Sequence, residues 1–238
     1  MCGRFASSLP PEAIRALFRT TGATPNLGPN WNTAPSQDAM VVRRHPENGE
    51  RRLDALRWGL VPPFTKDLRV APKPFNVRSE TVATSGMFRR ALAKRRAIVP
   101  ADAYYEWQAT PTGKQPYAIA RADGAPVAFA GLWETWRAPD GEAVRTFAIL
   151  TTRANRPMSA LHERMPVVLE EADWSLWIGE VDGDAVGLLR PAAEDVLRLW
   201  PVSRAANIVR NNGAELLDRI DHPAASPSSD APGGANPA

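Results

Sequence analysis

Short apolar segments separated by polar turns dominate this chain, and most of them are too short to form helices. Val, Ile, Phe, Trp and Tyr are concentrated in these segments, which is typical of β-strands. The predicted strands cover residues 40–44, 53–61, 97–99, 104–108, 117–121, 127–136, 146–152, 167–169 and 199–202.

Helical spacing is confined to a few places. Residues 10–19 begin with two prolines and place Ile14, Leu17 and Phe18 on one stripe, which predicts an amphipathic helix with Pro in its first turn. Further helices are predicted at residues 86–94, 170–178 and 193–197. Because strands outnumber helices and do not alternate with them, we expect the α+β class: a mostly antiparallel, barrel-like β-sheet core with peripheral helices.

The predicted domain boundary lies where large apolar residues no longer occur, after Asp221. The chain has 238 residues, enough to bury a substantial core, and shows no repeat and no long linker before Asp221. Residues 222–238 are mostly Pro, Gly, Ala and Ser, and such a segment buries too little surface to offset its ordering entropy. We expect one catalytic domain over residues 1–221 and a disordered C-terminal tail over residues 222–238.

Composition narrows the function classes only partly. The net charge is +3, and 25 of the 29 basic residues are Arg. Arg suits phosphate recognition, but codon bias in a GC-rich genome gives the same excess. One cysteine excludes an internal disulfide, and with three histidines it cannot form a Cys-rich zinc site. No apolar run is long enough for a membrane span and the start does not resemble a secretory signal, so a cytoplasmic location is expected.

The only cysteine, Cys2, directly follows Met1. A small residue at this position permits removal of the initiator methionine, which would leave Cys2 with a free amine and a thiol on adjacent carbons. With an aldehyde, the amine can form a Schiff base and the thiol can close a thiazolidine ring. The position alone does not separate this role from an incidental cysteine.

Glu106 lies among aromatic residues in the segment ADAYYEW. In a strand, Tyr104 and Glu106 share one face while Tyr105 and Trp107 share the other. A carboxyl on an aromatic inner face has a raised pKa and can act as a general acid or base near neutral pH. The alternative is an edge-strand glutamate that points to water.

Two further residues are candidates for the same site. His162 lies between a short predicted helix and an apolar strand. Its imidazole can transfer protons near pH 7 and suits opening of a sugar hemiacetal. The alternative is a packing role, which is more common for a lone histidine. Asn76 lies in a predicted loop, where its amide could hold a turn, cap a helix or orient a nucleophilic amine.

Arginines and aromatic residues together could form a platform for a single strand of nucleic acid, with phosphates on Arg and bases on the rings. For Trp58 and Trp133 we instead expect core positions. The set comprises Arg4, Arg57, Trp58, Phe64, Arg78, Trp107, Arg153 and Arg164.

Nine sequence blocks occur in a fixed order along the chain. They are MCGRF at 1–5, NTAPSQ at 32–37, RWGLVPP at 57–63, NVRSET at 76–81, ADAYYEW at 101–107, AGLWE at 130–134, TTRAN at 151–155, LHERMPVVL at 161–169 and PVSRAANIVRNNGAEL at 201–216. Together they resemble the SRAP family, the SOS-response-associated peptidases, also called abasic-site processing proteins. The similarity runs from Met1 to about Leu217.

The resemblance implies that the protein senses abasic sites in single-stranded DNA during the DNA damage response and caps them with a covalent thiazolidine crosslink. By motif, Cys2 is the nucleophile, Asn76 positions its amine, and Glu106 is the acid or base. His162 assists ring opening, proton transfer and reversal of the crosslink. The family also has a self-processing peptidase activity, and a lyase activity is compatible with this chemistry.

The resemblance also implies a DNA-binding surface and no cofactor or metal. We expect a monomer that works in the cytoplasm and associates with the nucleoid when bound to DNA. Phosphate contacts are expected from Arg4, Arg78 and Arg164, and base contacts from Pro35, Phe64 and Trp107.

This chain departs from the family pattern at four positions. Relatives often have Trp where this chain has Phe64, which weakens the ring that wedges against DNA bases. Val77 and Ser79 differ within the NVRSET block, and Ile98 replaces a second cysteine that many relatives carry. None of these departures affects the four catalytic positions.

The chemistry of an N-terminal cysteine supports the crosslinking interpretation. An α-amino group has a pKa of about 7.7–8.0 against about 10.4 for Lys, so more of it is unprotonated at pH 7. We expect Arg4 or another cation to lower the pKa of the Cys2 thiol from about 8.5. Two alternatives stay open: a cysteine peptidase or N-terminal-nucleophile hydrolase that uses Cys2, Glu106 and His162, and a non-covalent DNA-binding module.

Overall fold

The computed structural model of the chain describes residues 2–69, 71–138 and 140–221. The strands in this part of the chain are β1 (Phe5–Ser7), β2 (Asn30–Thr33), β3 (Asp38–Arg44), β4 (Arg51–Trp58), β5 (Asn76–Arg78), β6 (Arg96–Ala101), β7 (Ala103–Thr110), β8 (Gly113–Arg121), β9 (Val127–Arg137), β10 (Ala143–Arg153), β11 (Arg164–Pro166) and β12 (Leu197–Pro201). The α-helices are α1 (Pro11–Phe18), α2 (Arg89–Lys94), α3 (Arg156–Ser159) and α4 (Trp174–Ile178).

Five strands close into a barrel. The order β10–β4–β3–β6–β9 returns to β10, because β10 pairs with both β4 and β9. The pairs of β10 with β4 and with β5 are parallel, and the other strand pairs are antiparallel. The predicted class, an α+β fold with a mostly antiparallel, barrel-like core and peripheral helices, is confirmed.

A second sheet brings the start of the chain onto the barrel. Its order is β12–β8–β7–β1–β2, so the short strand β1 lies between β7 and β2. Phe5 of β1 is paired with Tyr104 of β7, and its ring packs 4.9 Å from that of Trp58 at the end of β4. The N-terminus is therefore held between the two sheets.

Alternate residues of the barrel strands enter two apolar clusters, as the period of two requires. Met40 and Val42 of β3 pack in the cluster that receives α1, α2 and α4. Ala39 and Val41 pack in the cluster that contains Cys2. Each face of the strand is thus buried against a different layer.

Most predicted elements are confirmed within a few residues, but two are wrong. The segment 193–197 forms no helix: its last residue, Leu197, begins β12, because pairing with β8 supplies backbone hydrogen bonds that a five-residue helix lacks. The segment 167–169 is not a strand, since β11 ends at Pro166 and only Val168 forms an isolated bridge. Four short strands, β1, β2, β5 and β11, were not predicted from the sequence, and each has three or four residues.

The predicted tail, residues 222–238, lies outside the described residues, and the domain boundary at residue 221 stays a prediction. Within the described residues, no helix is long and apolar enough to cross a membrane.

Candidate active site

The N-terminal segment runs toward Glu106. Because β1 is antiparallel to β7, residues before Phe5 lie alongside residues after Tyr104, and the backbone N–H of Tyr105 donates to the Arg4 carbonyl at 3.0 Å. Cys2 is completely buried and packs in the same cluster as Phe5 and Tyr104. The only cysteine of the chain is therefore placed among barrel side chains near a strand that carries a carboxyl group.

Asn76 binds the backbone of Cys2. Its Nδ2 donates to the Cys2 carbonyl at 2.7 Å, while its Oδ1 is buried and accepts no hydrogen bond from the described residues. The expected loop is in fact the start of β5, where Asn76 pairs in parallel with Ile149 of β10. A strand fixes the amide more firmly than a loop would, and leaves an acceptor directed into a buried space.

Glu106 lies on an inner face, as the strand alternation predicts. It is 4% exposed, on the same face of β7 as Tyr104, while Tyr105 packs with Trp107 in a separate cluster. Burial raises the pKa of the Glu106 carboxyl, and burial followed by the charges of Cys2 and Glu106 raises the pKa of Tyr104. The alternative of a water-facing glutamate is excluded.

The expected lowering of the Cys2 pKa is wrong. Burial raises the pKa of the thiol well above its usual range, and the negative charge of Glu106 raises it further. A hydrogen bond from the backbone N–H of Arg4 lowers the pKa but does not offset burial. The Arg4 guanidinium itself donates from Nη1 to Asn32 Oδ1 at 2.7 Å and to the Ala206 carbonyl at 3.1 Å. Burial therefore favours the protonated thiol over the thiolate in this environment.

His162 follows α3 and is half-buried. Its backbone N–H donates to the carbonyl of Met158 at 3.1 Å, and Met158 in turn packs in the Cys2 cluster, where Tyr104 Oη lies 3.5 Å from its sulfur. The ring Nδ1 accepts the backbone N–H of Arg164 at 2.9 Å. In the neutral imidazole, the proton is therefore on Nε2.

We expect His162 to titrate below its ordinary pKa of 6.5, because burial lowers its pKa. At pH 7 it should be neutral with the proton on Nε2. Nitrogen-15 NMR of the histidine side chains across pH 5–8 checks both points, with His162→Gln as the assignment control. A midpoint above 6.5, or a neutral form protonated on Nδ1, would contradict the geometry.

Arg78 and Arg153 are exposed and line a cleft of about 510 Å³ together with Arg164. Arg164 itself is 7% exposed, and its two Nη atoms bind the carboxylate oxygens of Glu80 at 2.7 and 3.0 Å. That hydrogen bonding holds the pKa of Glu80 below its usual range. Arg78 forms no ion pair with the described residues, whereas Arg164 is already paired with Glu80.

Arg4 and Trp107 form a second group of predicted DNA contacts. The guanidinium carbon of Arg4 lies 5.7 Å from the Trp107 ring centroid, and Trp107 Nε1 donates to Asn207 Oδ1 at 2.6 Å. Asn32 is fully buried and joins Arg4 to the segment 206–211 through three backbone carbonyls. The sequence analysis missed Asn32, although it lies in the NTAPSQ block.

The remaining candidates divide between surface and core. Phe64 is 67% exposed, and Pro35 is half-buried in a turn that forces a positive φ of 76° on Ser36. Trp58 and Trp133 are buried at 0% and 4% exposure, which confirms the expected core positions. The roles of all predicted site residues stay predictions.

Within the described residues, no group of three or more His, Cys, Asp and Glu side chains could hold a metal ion. Glu80 is a functional candidate that the sequence analysis did not single out. It lies within the NVRSET block, but its partner Arg164 is 84 positions further along the chain. The residues around Glu80 therefore do not indicate this pairing.

The fold is an α+β barrel whose second residue is a buried cysteine. The family model of the SOS response associated peptidase (SRAP) matches residues 1–209, and the chain belongs to this family.

Named relatives agree with this assignment, and a solved structure has the same fold. The chain is 36% identical over 224 residues to abasic site processing protein YoqW of Bacillus subtilis (strain 168), covering 92% of this chain and 99% of YoqW. It is also 36% identical over 228 residues to abasic site processing protein YoaM of the same strain, covering 93% and 100%. A crystal structure of a Bacteroides thetaiotaomicron protein superposes with a TM-score of 0.82 at 20% identity, covering 92% of this chain and 100% of that one, which shows the fold alone.

Proposed function

We propose that this chain processes abasic sites in single-stranded DNA by capturing the sugar aldehyde with a mature N-terminal Cys2. The observation that carries the proposal is the position of Cys2, buried, with its carbonyl bound by Asn76 at 2.7 Å and its thiol within the electrostatic influence of Glu106. The names of YoqW and YoaM support DNA with abasic sites as the substrate.

The reaction balances without a redox partner or cofactor. The unprotonated α-amine of Cys2 adds to the aldehyde carbon of the ring-opened sugar. An acid then protonates the hydroxyl of the carbinolamine, which leaves as water and gives an iminium ion. The sulfur then adds to the iminium carbon, and the thiol proton passes to a base. The products are a thiazolidine and one water molecule, and the imine that would permit strand cleavage is removed.

The raised thiol pKa supports this order of steps. Because burial favours the protonated thiol, the amine is the better first nucleophile, and sulfur attack needs a base nearby. Glu106 has a raised pKa and suits this proton transfer. The buried Oδ1 of Asn76 is an acceptor for an N–H of the α-amine, which would direct the nitrogen lone pair toward the aldehyde.

His162 acts on the sugar in this proposal. With Nδ1 occupied by the Arg164 N–H, its Nε2–H can donate to the ring oxygen of the closed sugar and promote opening to the aldehyde. The same group can serve when the crosslink reverses, and a lyase reaction would start from the uncyclised imine.

The DNA path belongs to the proposal as well. Arg78 is the exposed phosphate contact and Phe64 the exposed ring, with Arg4, Pro35 and Trp107 on the base-contacting side. Arg164 would either leave Glu80 for a phosphate or keep the cleft wall and His162 in place. The protein would act as a monomer in the cytoplasm, at the nucleoid, without a metal or cofactor.

A denaturing gel tests the proposed function. Purified protein is mixed with single-stranded DNA that carries one abasic site, without reductant. We expect a shifted band that survives denaturation for the wild type and no band for Cys2→Ala. Abasic DNA pre-reduced with borohydride, which lacks the aldehyde, is the substrate control. The absence of a wild-type band, or an equal band for Cys2→Ala, would refute the proposal.

The family description favours a second candidate, a peptidase that uses the same residues. Its minimal form is removal of Met1 by the protein itself. Cleavage of a peptide in trans that is lost in Cys2→Ala, without any DNA crosslink, would favour this candidate over the first.

A further inference from the structure

A basic cleft of about 430 Å³ lies apart from the residues assigned above. It is lined by four arginines, Arg43, Arg95, Arg137 and Arg145, together with Trp133 and Pro63. Glu47, which is exposed, is the carboxylate in its lining. We call this site the basic cleft.

Arg43 and Arg95 form the floor of the basic cleft and are already neutralised. The Arg43 guanidinium carbon lies 4.4 Å from the Trp133 ring centroid, and that of Arg95 lies at 5.7 Å. Arg43 Nε is 2.8 Å from Asp54 Oδ2 in an ion pair that lacks hydrogen-bond alignment. Arg95 Nη1 is 3.1 Å from Glu134 Oε2. These contacts fix two guanidinium groups against a buried indole.

Arg137 and Arg145 carry the charge that is not neutralised. Both are exposed, and neither forms an ion pair with a carboxylate of the described residues. Arg145 of β10 is opposite Thr135 of β9, and Arg137 is two residues further along the same face. Burial lowers the pKa of Arg43, and the carboxylate of Asp54 partly raises it again. The positive charge of Arg145 lowers it further. An anion in the basic cleft would relieve this repulsion.

The basic cleft is joined to the proposed DNA surface through the Phe64 loop. Pro63 lines the cleft and directly precedes Phe64, which is 67% exposed. Trp136 Nε1 donates to the Thr65 carbonyl at 2.8 Å, so the loop is held against β9 beside Arg137. The loop that carries Phe64 therefore borders the basic cleft, which Arg137 also lines.

We propose that the basic cleft binds backbone phosphates of DNA that continues past Phe64, with Arg137 and Arg145 as the contacting residues. The proposal rests on the proposed function for the path of the DNA across Phe64, but it does not depend on the crosslinking reaction at Cys2. Guanidinium groups bind phosphate oxygens through paired N–H donors. Trp133 is too buried to stack on a base, so the site recognises the backbone and not the sequence.

The test compares two double variants with the same loss of charge. Arg137→Gln/Arg145→Gln removes the cleft contacts, and Arg15→Gln/Arg190→Gln removes two exposed arginines that line neither cleft. Binding of undamaged single-stranded DNA is measured as a function of salt concentration with two oligonucleotides. One is long enough to extend from the candidate active site past the basic cleft, and the other has only a few nucleotides. Thermal unfolding verifies that each variant is folded.

For the long oligonucleotide, the cleft variant should lose about 0.7 of the log–log salt slope for each phosphate contact removed. The control variant should keep the wild-type slope, and both variants should bind the short oligonucleotide and crosslink a short abasic strand as the wild type does. Equal slopes for the cleft variant and the wild type, or equal losses in both variants, would overturn the proposal. If the wild type forms no crosslink but only the cleft variant loses slope, the proposed function fails and the cleft proposal stands.

Discussion

Blocking the α-amine of Cys2 should abolish the crosslink to abasic DNA, even though the thiol stays intact. An acylated α-nitrogen is an amide whose lone pair is delocalised, so it cannot add to an aldehyde. The neutral thiol could give only a reversible hemithioacetal. We therefore expect protein that begins at Cys2 but carries an N-acetyl group, made by semisynthesis, to fall to the background yield of Cys2→Ala on the denaturing gel.

Cys2→Ser is the matched control for this result. It keeps the free amine but replaces the sulfur by a weaker nucleophile, so borohydride should trap an imine while the unreduced sample shows little stable adduct. A wild-type yield from the acetylated protein would mean that the thiol acts alone and that the aminothiol chemistry is wrong.

Replacing Glu106 by Gln should slow crosslinking by about 10²–10⁴-fold, the usual contribution of general acid–base catalysis. In the wild type, the rate should fall as pH falls through the raised pKa of Glu106, because the base must be ionised to take the thiol proton. Protonation of the α-amine slows both proteins in acid, so the Gln variant should keep that fall and lack only the additional fall that Glu106 causes. Single-turnover rates between pH 5 and 8 measure the effect, and Glu171→Gln, at an exposed carboxyl, is the control.

The same substitution should stabilise the fold at neutral pH. A carboxyl whose pKa is raised in the folded state binds more protons there than in the unfolded chain, so it lowers stability as pH rises above its unfolded pKa. Glu106→Gln removes this cost. Its melting temperature should exceed that of the wild type at pH 7, and the difference should shrink in acid, below the unfolded pKa. A lower melting temperature at pH 7 would show that the ionised carboxylate stabilises the fold.

The sequence was informative where a property depends on neighbours along the chain. Strand alternation assigned Glu106 to the face of Tyr104, and the same local chemistry predicted the direction of its pKa. Cys2 was different, because its thiol pKa depends on burial by the barrel and on Glu106, which is distant in sequence. The prediction from Arg4 failed because burial and the charge of Glu106 raise the thiol pKa by more than the backbone N–H of Arg4 lowers it.

Short strands, and clusters of residues that are distant in sequence, could not be predicted from the sequence for a related reason. Strands β1 and β5 have three residues each, too few to show a period, and they form because neighbouring strands offer free backbone groups. The basic cleft collects its arginines from β3, β9, β10 and the residue before β6. Only the closed barrel brings these positions together.

The anchoring of Arg4 has a consequence for the order in which the protein is made. Arg4 is held by Asn32 and by the Ala206 carbonyl, and Asn32 binds carbonyls as far along as Asn211. During translation, the chain emerges N-terminus first, so Cys2 exists long before the segment that completes its surroundings. The surroundings of Cys2 are thus completed only at the end of synthesis. Under the proposed function, a ribosome-bound chain would carry the nucleophile without its site.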